Sequence, residues 1–120
     1  MIKKILVIDD NPIFCNAIKY HLSQKVYDVE ICISCEEFKN KINIKEYDLI
    51  LLDMRLKDGE GLDILKYTLE LNPNKKVIMV SSYLDNEELS KAKKLGAYKC
   101  IKKSSNLFFE LDNILKTLLQ

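Results

Sequence analysis

Leu49-Ile50-Leu51-Leu52-Asp53 is the stretch that decides the fold. Four large aliphatic residues follow one another without the polar alternation of a half-exposed strand, so the segment reads as a parallel strand covered on both faces. It stops on Asp53, leaving a carboxylate at the carboxyl end of a buried strand. Three more apolar runs repeat this design. Ile5-Leu6-Val7-Ile8 ends on Asp9-Asp10, Val77-Ile78-Met79-Val80 ends on Ser81-Ser82, and a strand from about Tyr98 to Lys102 leads into Lys103. A run from about Val29 to Ile33 completes the set.

The segments between these runs have helical periodicity. Asn11-Pro12 is a helix start followed by an apolar stripe of Phe14, Ile18 and Leu22, while Phe38 and Ile42 mark a weaker second helix. After a loop containing Gly59 and Gly61, Leu62, Leu65 and Leu69 form a third stripe, which Asn72-Pro73-Asn74 terminates. The fourth helix has Asp85 as an acidic N-cap with Glu88 at its third position, Leu89, Ala92 and Leu95 on its buried side, and Gly96 as its stop. Leu107, Phe108, Leu111, Ile114, Leu115 and Leu118 give the fifth a strong amphipathic face. Five strands each followed by a helix cannot close an eight-stranded barrel. They predict an α/β chain, (βα)5, with a doubly wound five-stranded parallel sheet of flavodoxin-like strand order 2-1-3-4-5.

With 120 residues, of which 48% are hydrophobic, the chain matches one domain spanning 1–120. Nineteen basic residues nearly balance 18 acidic ones, so bulk charge gives no reason to expect nucleic acid or a membrane surface as a partner. The apolar stretch Ile5–Ile8 is cut off by Asp9 and Asp10 too early for a signal peptide or a spanning helix, and a cytoplasmic location is expected. Cys32-x-x-Cys35 has metal-ligand spacing but lacks a second Cys/His pair, and its setting reads as a strand; Cys15, Cys32, Cys35 and Cys100 are read as small apolar residues.

In the expected order the first and third strands are neighbours, so Asp9, Asp10 and Asp53 crowd together where the strand order reverses. Like charges there repel unless they hold a hard divalent cation, and carboxylates with backbone carbonyls and water suit Mg²⁺. A hydroxyl at Ser81 and an ammonium at Lys103 beside that ion suit a phosphoryl group. Each residue taken alone serves equally well to solvate a loop; it is their assembly at one sheet edge that points to a site.

These motifs resemble the response-regulator receiver family over essentially the whole chain. Ile5 through Asn11 resembles its first strand with the acidic pair, and Leu51-Leu52-Asp53-Met54-Arg55-Leu56 followed by Asp58-Gly59-Glu60-Gly61-Leu62 resembles the acceptor strand and loop. Val77 through Ser82 looks like the strand ending in the conserved hydroxyl, and Leu95-Gly96-Ala97 through Lys103 like the strand with its lysine. The resemblance implies a phosphoacceptor signalling domain rather than an enzyme. Asp53 would be the nucleophile toward phosphohistidine on a sensor histidine kinase or histidine phosphotransfer protein, with Ser81 and Lys103 holding the transferred group. Mg²⁺ would be bound directly by Asp10, Asp53 and the Arg55 carbonyl, with Asp9 acting mainly through water. The face made by helix 4, strand 5 and helix 5, approximately Asp85 to Leu119, would meet an effector domain or a second copy.

Several positions depart from the family pattern. Lys57 stands where proline is usual, which predicts a more mobile loop. Ser104 replaces the proline of a customary cis bond, which leaves the geometry there open. Cys100 replaces an aromatic residue that commonly rotates inward, leaving Tyr98 or Tyr83 as substitutes or loop movement alone. Arg55 and Tyr83 are placed to overhang the phosphoryl group and slow its hydrolysis. His21, the sole histidine, reads as a half-buried helix residue. An aspartyl phosphatase would need a second acid two residues after its nucleophile, where Arg55 stands. A flavin carrier would need a Ser/Thr-rich phosphate loop where Asp9-Asp10-Asn11-Pro12 stands. A receiver-like interaction scaffold that is not phosphorylated remains the alternative.

Overall fold

The computed structural model describes residues 3–83 and 85–118. Five strands, β1 (Lys3–Ile8), β2 (Tyr27–Cys32), β3 (Leu49–Asp53), β4 (Lys76–Ser81) and β5 (Lys99–Lys102), form one parallel sheet in the order β2-β1-β3-β4-β5. The helices are α1 (Pro12–Ser23), α2 (Cys35–Lys41), α3 (Gly61–Leu71), α4 (Asn86–Leu95) and α5 (Leu107–Leu118). This is the expected doubly wound (βα)5 arrangement.

The unbroken aliphatic run of β3 is explained by the two cores. Ile50 and Leu52 enter one, with Phe38 of α2, Ile64 and Leu65 of α3 and Ala92 of α4. Leu49 and Leu51 enter the other, with Ile18 and Leu22 of α1 and Leu107, Leu111 and Leu115 of α5. Alternate residues point to opposite faces, and both faces are dry. Each such side chain contributes roughly 1.5–3 kcal/mol by leaving water. The thiols of Cys32 and Cys35 belong to the first core, and burial pushes the Cys32 thiol up to about 12, so both are packing residues as expected.

Chain punctuation acts at the anticipated places. Asn11 accepts from the amides of Ile13 and Phe14, Asp85 from those of Glu87 and Glu88, and Gly96 ends α4 at φ 109°, a left-handed conformation that glycine adopts without a Cβ clash. Ser34 caps α2, a signal not singled out in the sequence. His21 is half-buried as expected: its Nε2 lies 2.9 Å from Asp112 Oδ1 and its ring stacks on Phe108 at 4.5 Å, tying α1 to α5.

Two expectations need correction. The second strand begins at Tyr27 and stops at Cys32, leaving Ile33 exposed. In α3 the face turned to the sheet is Gly61, Ile64, Leu65 and Thr68, with Leu62 and Leu69 only half-buried on its flank. The reason lies in the loop between β3 and α3. Arg55–Leu56 pairs with Gly59–Glu60 as a miniature antiparallel hairpin, and the Gly61 amide then donates to the Met54 carbonyl at 2.8 Å. A Cβ on Gly61 would stand 2.0 Å from the Asp53 carbonyl oxygen, so backbone touches backbone there and the rotation of α3 is set by its first residue. Gly61→Ala is therefore expected to destabilise the protein by about 3 kcal/mol. Urea denaturation checks this, and a midpoint equal to the parent's would contradict the close approach.

Candidate functional site

Strand register carries the polar termini to one edge. Ile8 lies beside Leu52, Asp53 beside Val80 and Ser81 beside Lys102, so the residue after β1 and the end of β4 flank the end of β3, with Lys103 one strand further out. The Lys103 amide donates to the Ser81 carbonyl at 2.7 Å and the Met54 amide to the Val80 carbonyl at 2.9 Å, extending the ladder past the strands. Of the lysine pair, Lys102 faces solvent and Lys103 turns inward.

Asp9 is 1% exposed. Its Oδ1 accepts from the Asn11 amide at 2.8 Å, and its Oδ2 lies 2.6 Å from Lys103 Nζ. Apart from that ion pair, Oδ2 has no hydrogen-bond partner. The ammonium is also 3.6 Å from Asp53 Oδ2 and 4.4 Å from the centroid of the Phe14 ring, a cation–π position supplied by α1. Beneath these groups the Cys15 thiol donates to the Asp9 carbonyl, and burial together with Asp9 pushes it up to about 11. Phe14 was legible only as part of a core stripe, and nothing in the sequence marked Cys15 as a neighbour of Asp9.

Asp9, Asp10 and Asp53 each offer a carboxylate oxygen, all within 4.8 Å of one another. Burial, then the charge of Asp9, pushes Asp53 up to about 6, with Lys103 and a backbone hydrogen bond at Arg55 opposing the shift. Three crowded carboxylates, one of them with a buried oxygen met only by the Lys103 ammonium, form an all-oxygen donor set that fits a hard divalent cation. Asp10 Oδ2 accepts from the backbone amide of Lys57 at 2.6 Å, a bond that proline at this position could not make. The loop is thus tied down where mobility was expected.

The remaining residues are engaged by neighbouring elements or face solvent. The Arg55 guanidinium pairs with Glu88 Oε1 of α4 at 2.9 Å, so Glu88 serves a neighbouring loop rather than closing a capping box. Ser81 Oγ donates to the Tyr83 carbonyl and accepts from the Tyr83 amide at 3.1 Å; the Tyr83 ring is largely exposed. Tyr98 precedes β5 at the opposite sheet edge, its ring facing Lys76, and so lies away from the acidic cluster. Cys100 packs half-buried against the core shared by α2, α3 and α4. The Lys103–Ser104 bond is trans.

The model of the response regulator receiver domain family matches residues 5–116. The chain is 30% identical over 105 residues to the response regulator protein PilR of Pseudomonas aeruginosa, covering 88% of this chain and 24% of PilR. It is 32% identical over 112 residues to the transcriptional regulatory protein ComA of Bacillus subtilis, covering 87% of this chain and 50% of ComA. The chain therefore spans a quarter to half of the length of these curated relatives. Among solved structures, a CheY-like response regulator receiver domain protein from Methanospirillum hungatei superposes with a TM-score of 0.87 at 32% identity, over 98% of this chain and 94% of that one. The BeF3-activated DrrB receiver domain gives 0.87 at 26% identity over the whole of both chains. With the sheet order, the acidic edge and the family model in agreement, this chain belongs to the response regulator receiver family of two-component systems.

Proposed function

We propose that residues 1–120 form one receiver domain that accepts a phosphoryl group on Asp53 from a sensor histidine kinase or histidine phosphotransfer protein. The observation that carries this reading is the convergence of Asp9, Asp10 and Asp53 within 4.8 Å beside the Lys103 ammonium. An Asp53 oxygen would attack phosphorus, forming the P–O bond as the P–N bond of phosphohistidine breaks and the imidazole nitrogen leaves with the electron pair. Lys103, already 3.6 Å from Asp53, stands where phosphoryl charge accumulates. Ser81 would exchange its bond to the Tyr83 carbonyl for one to a phosphoryl oxygen, and the loop leading to α4 would be released or redrawn with it.

Mg²⁺ would be held by Asp10, Asp53 and the Arg55 carbonyl, with Asp9 behind them, and would supply positive charge against the phosphoryl oxygens. Asp9 has the additional role of holding Lys103. The domain would change only its own phosphorylation state and thereby switch an effector domain or a second copy that meets the face from Asp85 to Leu119, of which Leu119 lies outside the described residues. No described helix is long and apolar enough to cross a membrane, which is compatible with a cytoplasmic location. The non-phosphorylated scaffold is not favoured, because every side chain required for transfer is present.

Incubation with acetyl phosphate and Mg²⁺ is expected to add the mass of one phosphoryl group, and Asp53→Asn to abolish the addition. No added mass on the parent protein would overturn the proposal. Asp53 is held above its usual range, so its charged form costs stability fully above pH 6, and the cost is lost as pH falls through 6 toward 4. Metal-free Asp53→Asn is therefore expected to be more stable than the parent at pH 7, by on the order of 1 kcal/mol, with the difference shrinking by pH 5; parallel urea titrations measure this, and a pH-independent difference would count against it. Finally, shortening Arg55 and Tyr83 together to alanine is expected to speed loss of the phosphoryl group several-fold. A lifetime unchanged in that double variant would remove their shielding role.

A further inference from the structure

We infer that the backbone amide of Lys57 is a positioning group for the acidic cluster, holding the Asp10 carboxylate in the orientation from which it binds a divalent cation. The inference rests on the metal-binding reading above and names a group that reading does not use. Asp10 is half-buried, and no other hydrogen bond to its carboxylate is formed among the described residues. Without the Lys57 N–H, this side chain would be free to leave the cluster, driven by the repulsion of Asp9 and Asp53 and by its own rotamer entropy.

The amide can serve because its turn is fixed from the other side. Lys57 and Asp58 are the two turn residues that close Arg55–Leu56 onto Gly59–Glu60. The Asp58 carboxylate accepts from the amides of Cys35 and Glu36 at 2.9 and 3.0 Å, locking the turn to the start of α2. A Cβ on Gly59 would meet Cys35 Sγ at 2.8 Å, so the hairpin also lies directly against α2. Clamped there, the turn presents one N–H to Asp10 at 2.6 Å. Hydrogen-bonded partners behind a carboxylate ligand commonly change metal affinity by 10–100-fold.

The position allows a clean substitution. Lys57 is the first turn residue, the β-turn position at which proline is favoured, and its φ is not positive, so proline is a substitution there that removes the N–H. Mg²⁺ titrations followed by amide chemical shifts, on the full chain and on Lys57→Ala and Lys57→Pro, separate the N–H from the side-chain charge. Lys57→Pro is expected to bind Mg²⁺ about tenfold more weakly than Lys57→Ala. Equal or tighter binding by the proline variant, with the parent protein binding normally, overturns this inference alone. A parent protein that does not bind Mg²⁺ overturns the proposed function and this inference with it. Hydrogen exchange of the Lys57 amide in the parent protein gives a second test that does not depend on the variant's folding. Protection is expected, and exchange at the rate of an open turn amide refutes the bond.

Discussion

The ion pair of Asp9 and Lys103, 2.6 Å long and almost removed from water, is the constraint on which the rest of this edge depends. Taking a carboxylate into a dry interior costs several kcal/mol unless an opposite charge meets it with good geometry. Lys103 meets it only because its backbone is anchored on Ser81 and its chain runs past the ends of β4 and β3 to reach β1. The pair therefore requires the strand order and register to be as they are. Phe14 adds a ring face on one side of the ammonium, so the lysine is held by an anion and a quadrupole together. Asp53 receives what is left of that positive charge at 3.6 Å, too little to offset burial and the charge of Asp9, and its elevated protonation range follows.

The loop after Asp53 is the second device. It is fastened at three points by three different chemistries: the Lys57 amide on Asp10, the Asp58 carboxylate on the start of α2, and the Arg55 guanidinium on Glu88 of α4. Gly61 then brings α3 into backbone contact with Asp53 itself. For Asp53 as the nucleophile proposed above, a backbone held this closely would settle orientation before the reacting group arrives. Ser81 contrasts with this. Its hydroxyl is engaged by its own loop, so its availability depends on a local exchange of hydrogen bonds.

The sheet was legible because binary pattern and strand ends agree: Leu49 to Leu52 could be buried on two faces only in a parallel sheet, and the residue after each run marks one edge. The acidic cluster and Lys103 were legible for the same reason, since topology alone converts strand termini into neighbours. What was not legible depended on rotation and on backbone. The buried face of α3 is set by the contact of Gly61 with Asp53, which no periodicity of leucines reports, and the apparent stripe of Leu62, Leu65 and Leu69 is turned partly outward. The Lys57 bond belongs to a main-chain N–H that every residue but proline has. Arg55 was placed by its spacing from Asp53 alone, and its pairing with Glu88 depends on where α4 packs, which spacing does not report.

The absence of an aromatic side chain at position 100 raises the question of what joins the acidic edge to α4 in this chain. Among the described residues, one contact reaches α4 itself, and a second ties Ser81 to the segment that precedes it. Arg55–Glu88 is half-open to solvent, Arg55 being 61% exposed in its side chain, and pairs of that kind contribute about 0–1 kcal/mol and weaken with salt. The bonds between Ser81 and the Tyr83 backbone are part-buried, where an unmade hydrogen bond costs about 1–3 kcal/mol. The second contact is therefore the stiffer link. Any rearrangement that takes the Ser81 hydroxyl leaves the Tyr83 carbonyl needing a new donor, because a part-buried backbone carbonyl must be satisfied elsewhere.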